Sequence, residues 1–204
     1  MEMKIDFASQ DLTAGQLNDI VKNLGGKECA LKFLRGELVV QPAVIPEPQP
    51  EPVLDFIVRV DRSVKPNYPD WMEKVMHPEL ELARPAKYNY NLKNEVEQWL
   101  HDNQKRGSVV GNTIYKHLQK GDALVTCLNL QDGLAIQQKG IAVFRKLFAG
   151  KAVFLWGSVV QNRDGSLRVP SLFDYGDEVG LDWHRLGSSW GFYDPALRFS
   201  IWSF

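Results

Sequence analysis

Lys151–Pro170 reads KAVFLWGSVVQNRDGSLRVP. Two apolar runs precede Asn162-Arg163-Asp164-Gly165, and a shorter run follows it. Aspartate then glycine supplies the backbone freedom that a tight hairpin loop needs. The stretch predicts two strands joined by a turn, with Trp156 near the centre of the first strand and directed into the core.

Downstream, Ser171–Tyr175, Glu178–Trp183 and Trp190–Phe199 are strand-like and are separated by Gly176-Asp177 and Gly187-Ser188, which predicts a small antiparallel meander. Upstream, the patterns are mostly helical. Asn91 is placed to cap a helix over Leu92–Gln104, where Leu92, Val96, Trp99 and Leu100 share one stripe. Further helices are predicted at Asp70–Met76, Thr113–Lys120, Asp122–Leu128 and Asp132–Phe148. Leu54, Phe56, Val58 and Val60 alternate with Asp55, Ile57 and Arg59, which suits a half-buried strand. The expected fold class is therefore α+β, with helices followed by a mostly antiparallel β-meander.

The N-terminal 41 residues form a separate piece. Thr13 and Gln16 match a capping box, and Leu17, Ile20, Val21 and Leu24 follow as a helical stripe ended by Gly25-Gly26. A second helix is expected from Lys27 to Arg35, with Ala30, Leu31 and Leu34 inward. This outline also fits a helix-turn-helix. Residues 1–41 carry five basic and six acidic side chains, however, and the second helix lacks a basic or amide-bearing reading face. An ordinary helical hairpin is the expectation. Residues 42–52, PAVIPEPQPEP, hold five prolines, which favour an extended spacer. The expected organisation is a helical hairpin over 1–41, a proline-rich linker over 42–53 and an α+β domain over 54–204.

Composition narrows the function classes. The 204 residues carry a net charge of −1, and 44% are hydrophobic, so no bulk charge draws the chain to nucleic acid or anionic membrane. No apolar run approaches the roughly 20 residues needed to span a bilayer, and MEMKIDFASQD lacks the apolar core of a signal peptide. The only cysteines, Cys29 and Cys127, are far apart and suit a reducing compartment. A cytoplasmic location is expected.

Several short motifs invite catalytic readings. Gly187-Ser188-Ser189-Trp190-Gly191 matches G-x-S-x-G, but a nucleophile elbow needs a following helix and a later histidine. Pro195 discourages that helix, and no histidine follows His184. His77-Pro78-Glu79 matches half of a zinc-deaminase signature whose C-x-x-C half is missing. Asp182 and His184 alternate onto one face of a predicted strand, a spacing suited to two metal ligands, with no third ligand marked. Gly107–Thr113 resembles a phosphate loop without its Gly-Lys pair.

Charge patterning is more informative. Between Lys105 and Arg168 there are ten Lys/Arg and three Asp, a local basic excess that marks a candidate anion or nucleic-acid face. The last 32 residues hold nine aromatics, among which Trp190, Tyr193 and Trp202 are candidates for exposure. The resulting binding candidates are Lys105, Arg106, Lys116, Lys120, Arg145, Lys146, Trp190 and Tyr193.

Three segments, FIVRVDRSVKPNYPDW, AIQQKGIAVFRKLFAGKAVFLWGSVVQNRDGSLRVP and VGLDWHRL, together with a closing PALRF, resemble a set of uncharacterised bacterial proteins. The resemblance covers most of residues 54–199 and implies no activity and no functional residues.

Taken together, the sequence predicts a non-enzymatic binding protein without a cofactor. An unknown protein partner is favoured over nucleic acid, and no membrane partner is expected. The alternatives are a nucleic-acid-associated protein, and a metal-dependent hydrolase using Asp182 and His184.

Overall fold

A computed structural model describes residues 12–39, 53–82, 84–85, 87–120 and 123–200. The chain divides into two units, 1–51 and 52–204. The proline-rich stretch 42–52 lies outside the described residues, as do Trp202 and Phe204.

In the first unit, α1 (Ala14–Asn23) and α2 (Lys27–Leu34) form a helical pair. The Thr13 capping box is present: Gln16 N–H donates to Thr13 Oγ1 at 3.3 Å, and Thr13 N–H donates to Gln16 Oε1 at 2.8 Å. Ala30 is buried, but Leu31 is 41% exposed and Leu34 77% exposed. Within this unit, two helices alone cannot cover the stripe predicted to face inward.

The second unit holds eleven short strands and four helices among the described residues: β1 (Ile57–Asp61), β2 (Met72–Val75), α3 (Pro78–Leu82), β3 (Lys87–Asn91), β4 (Val96–Trp99), β5 (Val109–Val110), α4 (Gly111–Gln119), α5 (Leu130–Gln137), α6 (Ile141–Phe148), β6 (Val153–Phe154), β7 (Val160–Asn162), β8 (Leu167–Tyr175), β9 (Glu178–Arg185), β10 (Ser189–Trp190) and β11 (Ala196–Phe199). The main sheet runs β2-β7-β8-β6-β11-β4, with β9 on β8. All its pairings are antiparallel except β6 with β11. β1 pairs with β3, and β5 with β10, as two separate ribbons. The α+β class holds, and no helix among the described residues is long and apolar enough to cross a membrane.

The 151–170 stretch departs from a plain hairpin. Its first arm is broken by a 3₁₀ turn at Trp156–Ser158, so β6 and β7 both pair with β8 at different points along it. Residues 153–160 are buried throughout, because both faces of this arm are covered. Val153 and Leu155 join a core with α5, α6, β1 and β3. Phe154 and Trp156 alternate into a second core with α4 and Trp190. Strand alternation thus divides one segment between two cores.

Four helix expectations are not met, three of them for identifiable reasons. Residues 92–104 are not helical: the Asn91 side chain accepts from the N–H groups of Lys93 and Asn94, and β4 then pairs with β11. Asp70–Met76 holds β2, paired with β7. The helix begins instead at Pro78, where the missing N–H costs nothing. Asp132–Phe148 is split at Gly140, which adopts φ +82°, a conformation that glycine alone accepts freely. Asp122–Leu128 contains a short 3₁₀ turn at Ala123–Thr126.

Candidate binding surface

Two of the predicted basic residues, Lys105 and Arg106, follow a buried glutamine that is bonded to the turn carrying Tyr193. In the loop after β4, Gln104 is 1% exposed. Its Oε1 accepts from His101 N–H at 3.0 Å. Its Nε2 donates to the carbonyl oxygens of Gly191 and Asp194 at 3.1 and 2.9 Å. The turn is closed internally by Asp194, whose Oδ2 accepts from Gly191 N–H at 2.8 Å. From a third side, Ala152 N–H donates to Tyr193 O at 3.0 Å.

This fixed turn presents Phe192 and Tyr193 to solvent, 54% and 65% exposed. Their rings pack edge to face, 5.6 Å apart at 90°. Beside them the Gln104 loop carries Lys105, whose Nζ reaches Asp102 at 3.0 Å, and Arg106, which is exposed. The same loop touches α4: the His101 ring lies 5.0 Å from that of His117, and His117 stacks on Trp99 at 5.5 Å. Burial, then the neighbouring His117, lowers the His101 pKa. Lys116 is exposed on α4 and Lys120 is exposed just after its end, on either side of His117 in sequence. Lys105, Arg106 and Tyr193 therefore lie on two segments joined through Gln104, and Lys116 and Lys120 lie on, or just after, the helix that the His101–His117 contact joins to the first of them.

The three other candidates are placed differently. Trp190 is only 5% exposed; its indole packs 4.6 Å from Phe154 and 5.4 Å from Trp156. Its expected exposure is corrected: it forms the floor beneath the turn. Arg145 on α6 makes two hydrogen bonds to Asp174, at 2.6 and 2.9 Å, and donates to Gly176 O. That pairing raises the Arg145 pKa and lowers that of Asp174. Lys146 is exposed beside it on α6.

The catalytic motifs find no supporting geometry. Ser189 is exposed in β10 and leads into the 191–194 turn rather than into a helix. Asp182 Oδ2 and His184 Nε2 are 3.8 Å apart on β9. Among the described residues, no group of three or more His, Cys, Asp or Glu is arranged to hold a metal ion. His77 is bound at both ring nitrogens, Nδ1 to Glu79 at 3.2 Å and Nε2 to the Tyr115 hydroxyl at 2.6 Å. His77 and Glu79 line a cavity of about 600 Å³ together with Leu80, Leu118, Leu124 and Val125. Burial pushes the Tyr115 pKa up to about 12, so the phenol keeps its proton at neutral pH and is a poor nucleophile.

Sequence reasoning missed Gln104 and the pairing of His101 with His117. Neither carries a local signal, since both depend on contacts between distant segments. Comparison with protein-family models, with curated proteins and with solved structures finds no match.

Proposed function

We propose that this chain is a non-enzymatic binding protein whose contact surface is centred on Phe192 and Tyr193 and bordered by Lys105, Arg106, Lys116 and Lys120. The observation that carries this reading is a pair of exposed aromatics on a turn closed by an internal hydrogen bond and bonded from two other segments. Rigid aromatics lose little entropy on burial and serve as anchors at interfaces. Surrounding cations steer an acidic partner and set register more than they add affinity.

A protein partner fits better than nucleic acid. Phe192 and Tyr193 are perpendicular, so they do not form the parallel platform on which successive bases stack. The net charge of −1 adds no long-range attraction to phosphate. The nucleic-acid reading rests on the four flanking cations alone. The N-terminal helical pair, joined through the proline-rich 42–53 spacer, would act as a second module. Both cysteines are free, which suits a reducing, cytoplasmic setting.

The test is affinity capture with the wild-type chain and with Phe192→Ser/Tyr193→Ser, after circular dichroism has shown equal folding. A partner held by the wild type and lost by the variant is expected. Equal capture by both would overturn the assignment of the surface. Retention of single-stranded oligonucleotides that falls steeply with salt would replace the protein partner with nucleic acid.

A further inference from the structure

Asp132, at the start of α5, is fully buried and meets two guanidinium groups. Arg62 Nη2 donates to its Oδ1 at 2.6 Å, and Arg84 Nη1 to its Oδ2 at 3.4 Å. The Arg62 side chain is 2% exposed and that of Arg84 8%. Two buried positive charges therefore share one buried negative charge. Arg84 has further partners: it donates to Val125 O at 3.0 Å and lies 3.9 Å over the Phe199 ring. Arg62 does not, and its Nε and Nη1 are buried without an acceptor. Gln131 Oε1 is likewise buried without a donor, while its Nε2 donates to Val64 O at 2.7 Å.

Arg62 and Gln131 line the same cavity of about 130 Å³, together with Lys65, Pro66, Pro78 and Glu81. Glu81 already accepts from the Tyr68 hydroxyl. Lys65 is exposed at the cavity and has no ion pair among the described residues. Drug-sized ligands occupy roughly 300 Å³ or more, and a water takes about 30 Å³. The cavity therefore suits a small ion. Buried guanidinium N–H groups need acceptors, and a buried excess positive charge needs an anion. The orphan Gln131 acceptor adds the demand that the anion also donate.

We propose that this cavity binds a small hydroxyl-bearing oxyanion of the phosphate class, with Arg62 donating to its oxygens, Lys65 at the mouth and Gln131 accepting from its hydroxyl. Sulfate has the same shape and charge class but no hydroxyl at neutral pH, so it satisfies Arg62 and leaves Gln131 unpaired. This site is independent of the Phe192–Tyr193 surface.

The test is calorimetric titration of the full chain with inorganic phosphate, sulfate and methyl phosphate at constant ionic strength set with sodium chloride. Phosphate is expected to bind about tenfold more tightly than sulfate, the value of one well-placed hydrogen bond. Methyl phosphate is mostly a dianion without a hydroxyl at neutral pH and should bind no better than sulfate; binding as tight as that of phosphate would overturn the hydroxyl contact to Gln131. Lys65→Gln changes an exposed side chain and should fold normally while weakening phosphate several-fold. Gln131→Leu should remove the preference for phosphate over sulfate, and Arg62→Met should remove binding. If Arg62→Met does not fold, the other two variants decide. No heat above the chloride control, or equal responses in wild type, Lys65→Gln and Gln131→Leu, would mean water or an adventitious ion only and would overturn the proposal.

Discussion

The Gln104 side-chain amide reaches the main chain of Asp194 at 2.9 Å, so one buried amide on the loop after β4 holds the turn that displays Phe192 and Tyr193. Gln104→Ala leaves the Gly191 and Asp194 carbonyls without this donor. The expected loss is about 1–3 kcal/mol, the cost of unpaired buried polar groups, measured by urea unfolding. Amide hydrogen exchange should rise at residues 191–194 beyond the global change. A uniform rise across the unit would show that Gln104 does not hold the turn in particular.

Gly111 begins α4 directly against Trp190. A Cβ at Gly111 would stand 2.3 Å from the indole ring and 2.9 Å from the Leu186 carbonyl. Gly111→Ala should therefore destabilise by about 1–3 kcal/mol through overpacking. Trp190→Phe in the same background should return part of that loss, because a smaller ring vacates the contested space. Denaturant unfolding of the two single variants and the double variant gives the coupling. Strictly additive losses would contradict the contact.

Asp132 is the only buried anion facing Arg62 and Arg84 among the described residues, and it also accepts from Asn129 N–H in the α5 capping box. Removing one member of a buried ionic group leaves the others uncompensated, so Asp132→Ala should cost about 3–5 kcal/mol. Arg59→Ala supplies the contrast. Its partner Asp55 sits 3.5 Å away on an exposed surface, where a pair is worth about 0–1 kcal/mol. Guanidinium-chloride midpoints would rank the two variants, and similar losses would overturn the argument from burial.

What the sequence disclosed and what it hid follow the range of the interactions. The Thr13–Gln16 cap and the Asn162–Gly165 turn were legible because their partners lie within three residues. β4 was not, because it forms only when β11 arrives from the far end of the chain, and its local stripe imitates a helix. The α5–α6 break hid for a similar reason: Leu134, Ile141, Phe144 and Phe148 keep helical spacing across Gly140. At the surface, charge counting singled out Lys105 and Arg106, and aromatic counting Tyr193, and all three are exposed. Gln104 works on groups 87 and 90 positions away, and Arg62 meets Asp132 across 70 positions. Burial also separated Trp190 from Tyr193, since composition cannot say which aromatics face the core.

Cys127 is 2% exposed and hydrogen-bonds through Sγ to Ala123 O at 3.5 Å. Burial pushes its thiol up from an ordinary 9.0 to about 12. Tyr115 moves in the same direction, from 10.0 to about 12. A group whose pKa is raised by folding binds its proton more tightly in the native chain, so its contribution to stability is complete below the unfolded value. That contribution then fades as pH rises through the folded value. Stability should therefore begin to fall above about pH 9 and decline steeply toward pH 12. Phenolate absorbance from Tyr115 should appear near pH 12 in the native chain, or earlier where the chain unfolds first. At pH 8, a disulfide reagent should leave Cys127 unmodified in the native protein and label it once denaturant is added, since only the thiolate reacts. Fast native labelling of Cys127, or stability that stays flat from pH 9 to 12, would show that this thiol is not held in the apolar core beside Trp156.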